Sequence, residues 1–137
     1  MRWKKRIPVF LAFLIGAAAG ISFVLPGFQK RTDVYLQDFS VSEGGSVLTM
    51  QTFTIGSAGY IRAMETKQIG DEIHCSFYRT FGGLNSRLGA KDRFEIRLEG
   101  PAESAESIYL GRAYFDQLVL ERDAETGEWA PVSPLPQ

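Results

Sequence analysis

The side chains that could act as nucleophiles or general bases are few in this sequence. It contains one histidine, His74, and one cysteine, Cys75, which are adjacent. Successive side chains on a β-strand point to opposite faces, so these two could not form a catalytic pair within one strand. We expect Cys75 to lie in a core and His74 at a surface. The sequence therefore predicts no catalytic residue and no cofactor.

Carboxylates are the other candidates for chemistry, and they form two clusters late in the chain. The clusters are Glu99, Glu103 and Glu106, and Asp123, Glu125 and Glu128. Neither has the spacing of an EF-hand calcium loop, which needs a glycine at its sixth position and a glutamate at its twelfth. We interpret both clusters as solvated turn residues. No metal site is predicted, since zinc would need more than one Cys and one His.

A hydrolase that acts on cell-envelope material through carboxylates is the alternative to a non-enzymatic protein. Its candidate residues are Glu95, Glu99 and Asp116. Such a mechanism needs two carboxylates within about 5–10 Å of each other in a cleft. The sequence leaves that geometry open.

The longest connection between predicted strands is the segment 81–91, which combines glycines with an aromatic residue, an amide and two cations. Loops on a rigid β-framework are common binding sites. The candidate ligand-binding residues, in this loop and just before it, are Tyr78, Arg79, Phe81, Asn85 and Arg87. In the alternative interpretation, Leu84 and Leu88 belong to one helical turn that closes the end of the core.

The elements that must position these residues begin with an apolar segment, 7–28, that contains no ionisable side chain. About 20 apolar residues in a helix span the roughly 30 Å hydrocarbon core of a bilayer. Residues 1–6 include four basic and no acidic residues. The positive-inside rule then places this tip in the cytoplasm and everything after Phe28 outside. We predict a single-pass signal-anchor helix in the cell membrane, which begins at Pro8 and ends at Pro26.

Two further features of this segment leave alternatives open. Ala17-Ala18-Ala19 fits a signal-peptidase site, and cleavage after Ala19 would give a secreted protein. The apolar run continues past Ala19 to Phe28, which favours an uncleaved anchor. Ala12, Gly16 and Gly20 recur every four residues, as in close helix–helix contacts. They could support a homodimer, or they could be neutral small residues of a spanning helix.

Beyond a polar hinge at 29–33, segments of alternating or β-branched and aromatic residues are separated by turn residues. Strands are predicted near 34–41, 46–55, 59–67, 72–80, 92–99, 106–111 and 117–122. This pattern predicts an all-β ectodomain over 34–130: an antiparallel β-sandwich of about seven strands, immunoglobulin-like in outline, or a small barrel. Residues 131–137 are expected to form a flexible, Pro-rich tail.

Period-two alternation predicts which side chains face the core of this domain. The predicted inward residues are Ile73, Cys75 and Phe77 on one strand, Phe94, Ile96 and Leu98 on another, and Leu118 and Leu120 on a third.

Charge is unevenly distributed along the chain. All 16 acidic residues come after residue 30, whereas four of the 15 basic residues lie in the first six positions. The only dense basic cluster is where an export signal needs it, so nucleic-acid binding is not expected. We expect the membrane to be one partner, and a protein or glycan on the outer face to be another.

Several short segments of the chain form a recognisable set: Gly59-Tyr60-Ile61-Arg62, Phe77 to Ser86, Gly89-Ala90-Lys91, Ile108-Tyr109-Leu110 and Glu128-Trp129. Together they resemble a family of small uncharacterised proteins of Gram-positive bacteria. Those proteins pair a signal or anchor segment with an extracytoplasmic β-rich domain. The resemblance implies a location and transfers no site residue. The expected function is that of a membrane-tethered extracytoplasmic accessory or binding module, with an envelope hydrolase or a self-associating membrane protein as alternatives.

Overall fold

The structure, a computed structural model, describes residues 3–55, 59–83 and 86–136. One N-terminal helix, α1 (Trp3–Val24), is followed by a β-rich domain. The strands are β1 (Lys30–Arg31), β2 (Val34–Ser42), β3 (Val47–Thr54), β4 (Ile61–Ile69), β5 (Glu72–Arg79), β6 (Arg93–Arg97), β7 (Ser107–Gly111), β8 (Asp116–Arg122) and β9 (Trp129–Pro131). All seven predicted strands are present, while the short strands β1 and β9 were not predicted.

α1 carries the apolar segment. The stretch Arg6–Phe28 has a mean hydropathy of 2.3, and its most apolar part is not buried by the domain. By length and composition it could cross a membrane or act as a signal sequence. The helix begins at Trp3, so Pro8 lies inside it and does not open it. A 3₁₀ turn, Leu25–Phe28, follows α1 and contains Pro26.

The strands form two sheets. In the six-stranded sheet, β4 pairs with one side of β5, while β7 and β1 pair with the other side. β8 and β9 extend this sheet beyond β7. The three-stranded sheet has the order β2-β3-β6 and is antiparallel throughout.

The expectation of a wholly antiparallel arrangement is wrong at one pair of strands. β5 and β7 are parallel, with Glu72 opposite Ser107 and Cys75 opposite Leu110. The chain leaves β5, forms β6 in the other sheet and then returns, so β7 runs in the same direction as β5. Alternation identifies strands but does not determine which strands pair, because pairing depends on contacts distant in sequence.

The two sheets share one hydrophobic core. Its fully buried members include Val34, Leu48 and Met50 from the smaller sheet and Phe77, Ile108, Leu110 and Leu120 from the larger one. The rings of Phe77 and Phe94 meet edge to face between the sheets, with centroids 5.5 Å apart. The predicted inward residues of β5 and those over 94–98 are buried, as expected.

Leu118 and Leu120 do not share the inner face as predicted. The register between β7 and β8 shifts after Ile108, so that Leu120 pairs with Ile108 and Leu118 with Tyr109. Leu120 is fully buried and Leu118 only half-buried. The extra residue of a β-bulge reverses the alternation of the side chains beyond it.

The expected hinge and the expected frayed tail are both packed against the domain. Within 29–33, β1 pairs with Tyr78 and Phe77, and the buried Arg31 forms a salt bridge with Asp33 at 2.5 Å. At the other terminus, the backbone N–H of Val132 donates to the Val119 carbonyl at 3.1 Å. Leu135 packs against the core. Backbone groups of both segments thus find partners in strands that are distant in sequence.

The domain has two ends, which we name by their distance from α1. The helix end comprises residues 25–33, 55, 59–62, 79–83, 86–92 and 112–115. Here the start of β4 pairs with the end of β5, and the start of β2 pairs with the end of β3. The turn 112–115 belongs to this end because Arg112 Nη1 donates to the Val34 carbonyl at 2.5 Å. The far end comprises residues 44–46, 67–72, 97–107 and 120–129.

Candidate functional site

The candidate site is at the helix end, where the chain passes from α1 into the domain. The backbone N–H of Gly82 donates to the carbonyl of Phe23, near the end of α1, at 2.8 Å. The Arg79 N–H donates to the Gln29 carbonyl at 3.0 Å. These bonds tie both sides of the 3₁₀ turn to the region where β5 ends. The helix is therefore attached to the sheet by hydrogen bonds in addition to the chain itself.

Side chains strengthen this junction. Arg62 Nη2 donates to the Gly27 carbonyl at 2.5 Å, and the Arg62 guanidinium lies 4.2 Å from the centroid of the Phe81 ring. The Phe28 ring meets Phe81 edge to face, with centroids 5.9 Å apart. Gly27 is buried, and a Cβ atom added to it would lie 2.1 Å from the Phe81 ring. Only glycine lets the turn approach Phe81 this closely.

Four of the predicted ligand-binding residues, Tyr78, Arg79, Phe81 and Arg87, are described by the structure, and the printed contacts of Tyr78, Phe81 and Arg87 are with different partners. Phe81 faces the 3₁₀ turn, whereas the Tyr78 hydroxyl donates to Glu65 at 2.8 Å. That hydrogen bond, with burial and the charge of Glu65, raises the pKa of Tyr78. Arg79 is half-buried.

Arg87 and Leu88, in the same loop, have surroundings different from those of Phe81. Arg87 lies over the Tyr60 ring at 5.1 Å, and its Nε donates to the Tyr60 hydroxyl at 2.9 Å. Leu88 is 59% exposed, so it does not close the core as the alternative interpretation required. Asn85 and Leu84 lie outside the described residues.

Cations outnumber carboxylates at the helix end. The cations are Lys30, Arg31, Arg62, Arg79, Arg87, Lys91 and Arg112, and the carboxylates are Asp33 and Asp92. The far end has the opposite balance. Its cations are Lys67, Arg97 and Arg122, and its carboxylates are Asp71, Glu72, Glu99, Glu103, Glu106, Glu121, Asp123, Glu125 and Glu128. The domain is therefore electrostatically polar along its length.

The helix end also exposes large apolar side chains. These are Phe28, Ile55, Leu88, Tyr114 and Phe115. Tyr114 is 98% exposed and Phe115 64% exposed, at the tip of the β7–β8 turn. Sequence reasoning missed this pair, although two adjacent aromatic residues in a turn are a recognisable signal. It also missed Arg62 and Gly27, because the bond between them joins residues 35 positions apart and ends on a backbone carbonyl.

A second cluster surrounds His74 on the outer face of the larger sheet. His74 Nδ1 lies 2.6 Å from an Asp116 carboxylate oxygen, and Nε2 lies 2.9 Å from one of Glu72. The imidazole stacks on the Tyr109 ring with centroids 4.6 Å apart. Tyr109 also donates to Glu72 at 3.3 Å. The cluster thus joins side chains from β5, β7 and β8.

The chemistry of this cluster favours a charged imidazole. Burial lowers the pKa of His74, but its hydrogen bonds to Glu72 and Asp116 and the charges of both carboxylates outweigh burial and raise it. Both ring nitrogens face carboxylates, so neither is available to take a proton from a substrate. Burial, with the charge of Asp116, raises the pKa of Cys75 to about 12, so the thiol stays protonated. The expected separation of His74 and Cys75 onto opposite faces is confirmed.

The carboxylates considered for metal binding or hydrolysis have local structural roles or are exposed. Asp123 Oδ1 accepts from the backbone N–H groups of Glu125 and Thr126 at 2.7 and 3.0 Å, which lowers the pKa of Asp123. Glu95 and Glu99 are exposed. Within the described residues, no group of three or more His, Cys, Asp or Glu side chains could hold a metal ion.

A small cavity lies between the two sheets and the C-terminal segment. Its volume is about 150 Å³, and Tyr35, Phe53, Arg112 and Gln117 line it together with residues 132–136. Arg112 lies 4.1 Å from the centroid of the Tyr35 ring, and burial lowers the pKa of Arg112. Small-molecule sites are usually about 300–1,000 Å³, so this space is small for a ligand.

Comparison with known proteins does not assign the chain to a family. No family model, curated protein or solved structure matches the chain.

Proposed function

We propose that this chain is a membrane-tethered accessory module, without enzymatic activity, whose β-rich domain stands outside the cytoplasm. The main support for this proposal is the junction between α1 and the domain. Bonds to Phe23, Gly27 and Gln29 connect the end of the apolar segment to the sheet. If α1 spans the membrane, this junction holds the helix end against the bilayer and directs the far end away from it.

The finer architecture belongs to the same proposal. Two sheets around one core support a β-sandwich. The parallel pairing of β5 with β7 is a departure from the antiparallel immunoglobulin pattern. We also propose membership of the Gram-positive family that the sequence resembles. The single, buried cysteine is compatible with that setting, because such a domain must be stable without a disulfide.

The surfaces available to a protein or glycan partner are then the far end and the outer faces of the sheets. Of the predicted ligand-binding residues, Tyr78, Arg79, Phe81 and Arg87 lie close to the membrane in this arrangement. A carboxylate hydrolase has less support, because Asp116 is engaged by His74, and because Glu95, on β6, and Glu99, just after it, are both exposed. For self-association through α1, Gly16 and Gly20 have open space around them that a second helix could fill.

Protease accessibility tests the proposed topology. The full chain, carrying a C-terminal epitope, is expressed in a bacterial host, and intact spheroplasts are treated with protease. We expect the epitope to be digested from outside and the chain to remain in the membrane pellet after alkaline carbonate washing. We also expect full-length mass, because the apolar run extends past Ala19.

The matched control changes only the charge of the N-terminal tip. Replacing Arg2, Lys4, Lys5 and Arg6 with glutamate should reduce digestion from outside, because basic residues hold the tip in the cytoplasm. An epitope that is protected in spheroplasts of the unmodified chain would refute the topology. A chain that is released by carbonate, or shortened at Ala19, would refute the anchor.

A further inference from the structure

We propose that the helix end of the domain is a lipid-contact surface that binds the anionic phospholipid headgroups of the bilayer holding α1. The inference rests on the membrane anchoring proposed above, but not on which side of the membrane the domain occupies.

Charge is the first argument. Seven cations and two carboxylates lie at the helix end, and the ion pair of Arg31 with Asp33 cancels one of each, which leaves six cations and Asp92. Lys30 and Lys91 are exposed beside the junction. Basic residues held close to an anionic bilayer are each attracted to it, and the attraction decays within a Debye length. The acidic far end is repelled by the same surface, so both ends favour one orientation.

Exposed apolar side chains at the same end are the second argument. Tyr114 and Phe115 project from the β7–β8 turn, and Ile55 and Leu88 are exposed on two other connections. The four side chains belong to three separate loops at the end of the domain from which α1 emerges. Tyrosine and other aromatic rings favour the headgroup region, where an apolar body and a polar tip are both accommodated. Water is an unfavourable environment for such a set.

Unfilled hydrogen-bond donors are the third argument. The Nε groups of Arg62 and Arg79 are buried and have no acceptor among the described residues. The Arg62 guanidinium is at the junction, where α1 would leave the membrane, and the backbone N–H of Arg79 bonds to the chain there. Arginine presents several donors to phosphate oxygens. The exposed cations of the same end, Lys30, Arg87 and Lys91, are the groups that a phospholipid headgroup can reach directly.

A fluorescent reporter at the two ends of the domain tests this proposal in the full chain. Tyr114→Cys reports on the helix end and Ile69→Cys on the far end, and each is labelled with an environment-sensitive nitrobenzoxadiazole probe. Cys75 is buried with a high pKa, so labelling is directed to the introduced thiol. The labelled chains are reconstituted into vesicles of phosphatidylcholine, with or without phosphatidylglycerol.

We expect phosphatidylglycerol to raise and blue-shift the emission at position 114 and to leave position 69 unchanged. High salt should reverse the change. The variant Lys30→Gln/Lys91→Gln should shift the docking equilibrium toward the undocked state by about fivefold for each charge removed. The variant Lys67→Gln/Arg97→Gln removes the same charge from the far end and should have no effect.

Two outcomes would overturn the proposal. One is equal emission at position 114 with and without phosphatidylglycerol. The other is an equal effect of the two charge variants, which would point to net charge and not to this surface. If the protease experiment placed the domain in the cytoplasm, the proposed function would be refuted. The vesicle result would not change, because the vesicles have the same headgroups on both sides.

Discussion

His74 shows how one residue can stabilise three strands without catalysing a reaction. Its two ring nitrogens bond to Asp116 on β8 and to Glu72 on its own strand, and its ring stacks on Tyr109 of β7. The cluster is on the face opposite the buried Cys75. An imidazole between two carboxylates is most stable when it is protonated. We therefore assign it a structural role that depends on pH.

The sign of this dependence follows from the raised pKa of His74. A group whose pKa is higher in the folded state adds stability that is complete below its ordinary value of about 6.5 and is lost as pH rises through the folded value. His74→Gln should therefore destabilise the protein more at about pH 6 than at about pH 8.5. Urea unfolding of the detergent-solubilised chain measures the difference.

Glu95→Gln is the matched control for this experiment, since it alters an exposed carboxylate outside the cluster. It should shift the unfolding midpoint equally at both pH values. Equal destabilisation by His74→Gln at the two pH values would contradict the assignment.

At the scale of elements, the junction of α1 with the domain depends on a glycine. The Gly27 carbonyl accepts a hydrogen bond from Arg62, and the Phe81 ring lies directly against Gly27. Arg62 and Phe28 in turn hold Phe81 in position. The ring has little freedom to move aside without losing these contacts.

We predict that Gly27→Ala destabilises the domain by about 1–3 kcal/mol, the usual cost of overpacking a well-packed site. The new Cβ must displace the Phe81 ring, which also separates α1 from β5. Urea unfolding and limited proteolysis near residues 29–33 should both detect the change. Gly20→Ala is the control, because a Cβ at Gly20 meets nothing within 4 Å. Equal stability of the two variants would show that the junction does not depend on this contact.

At the scale of the whole molecule, the separation of charge between the two ends predicts an upright domain on the membrane. Trp129 is buried at the far end, and Trp3 is the only other tryptophan. In an upright domain, Trp129 lies on the side away from the bilayer. A domain lying on its side would bring this ring close to the lipid.

Quenching by brominated lipids distinguishes the two orientations. In the Trp3→Phe chain reconstituted into such vesicles, we expect Trp129 emission to match that in unbrominated vesicles. Adding Tyr114→Trp at the helix end should introduce a second, strongly quenched component. Strong quenching of Trp129 itself would rule out the upright orientation.

Much of this protein could be predicted from local sequence patterns. The apolar helix, the seven longer strands and the burial of Cys75 and Phe77 all follow from hydrophobic length and period-two alternation. These are properties of neighbouring residues, so a single segment suffices to determine them. The alternation failed at Leu118, where a bulge set by the partner strand changed the pattern.

Only the tertiary structure decided which segments meet. The parallel pairing of β5 with β7, the packing of residues 29–33 into the sheet, and the contact of Arg62 with Gly27 join residues far apart in the chain. The division into a basic helix end and an acidic far end also depends on residues far apart in the chain. The overall net charge conceals this division. Such contacts depend on the combined packing of two sheets around one core. Local periodicity contains no information about that packing, so the sequence by itself determined the elements and the fold determined the surfaces.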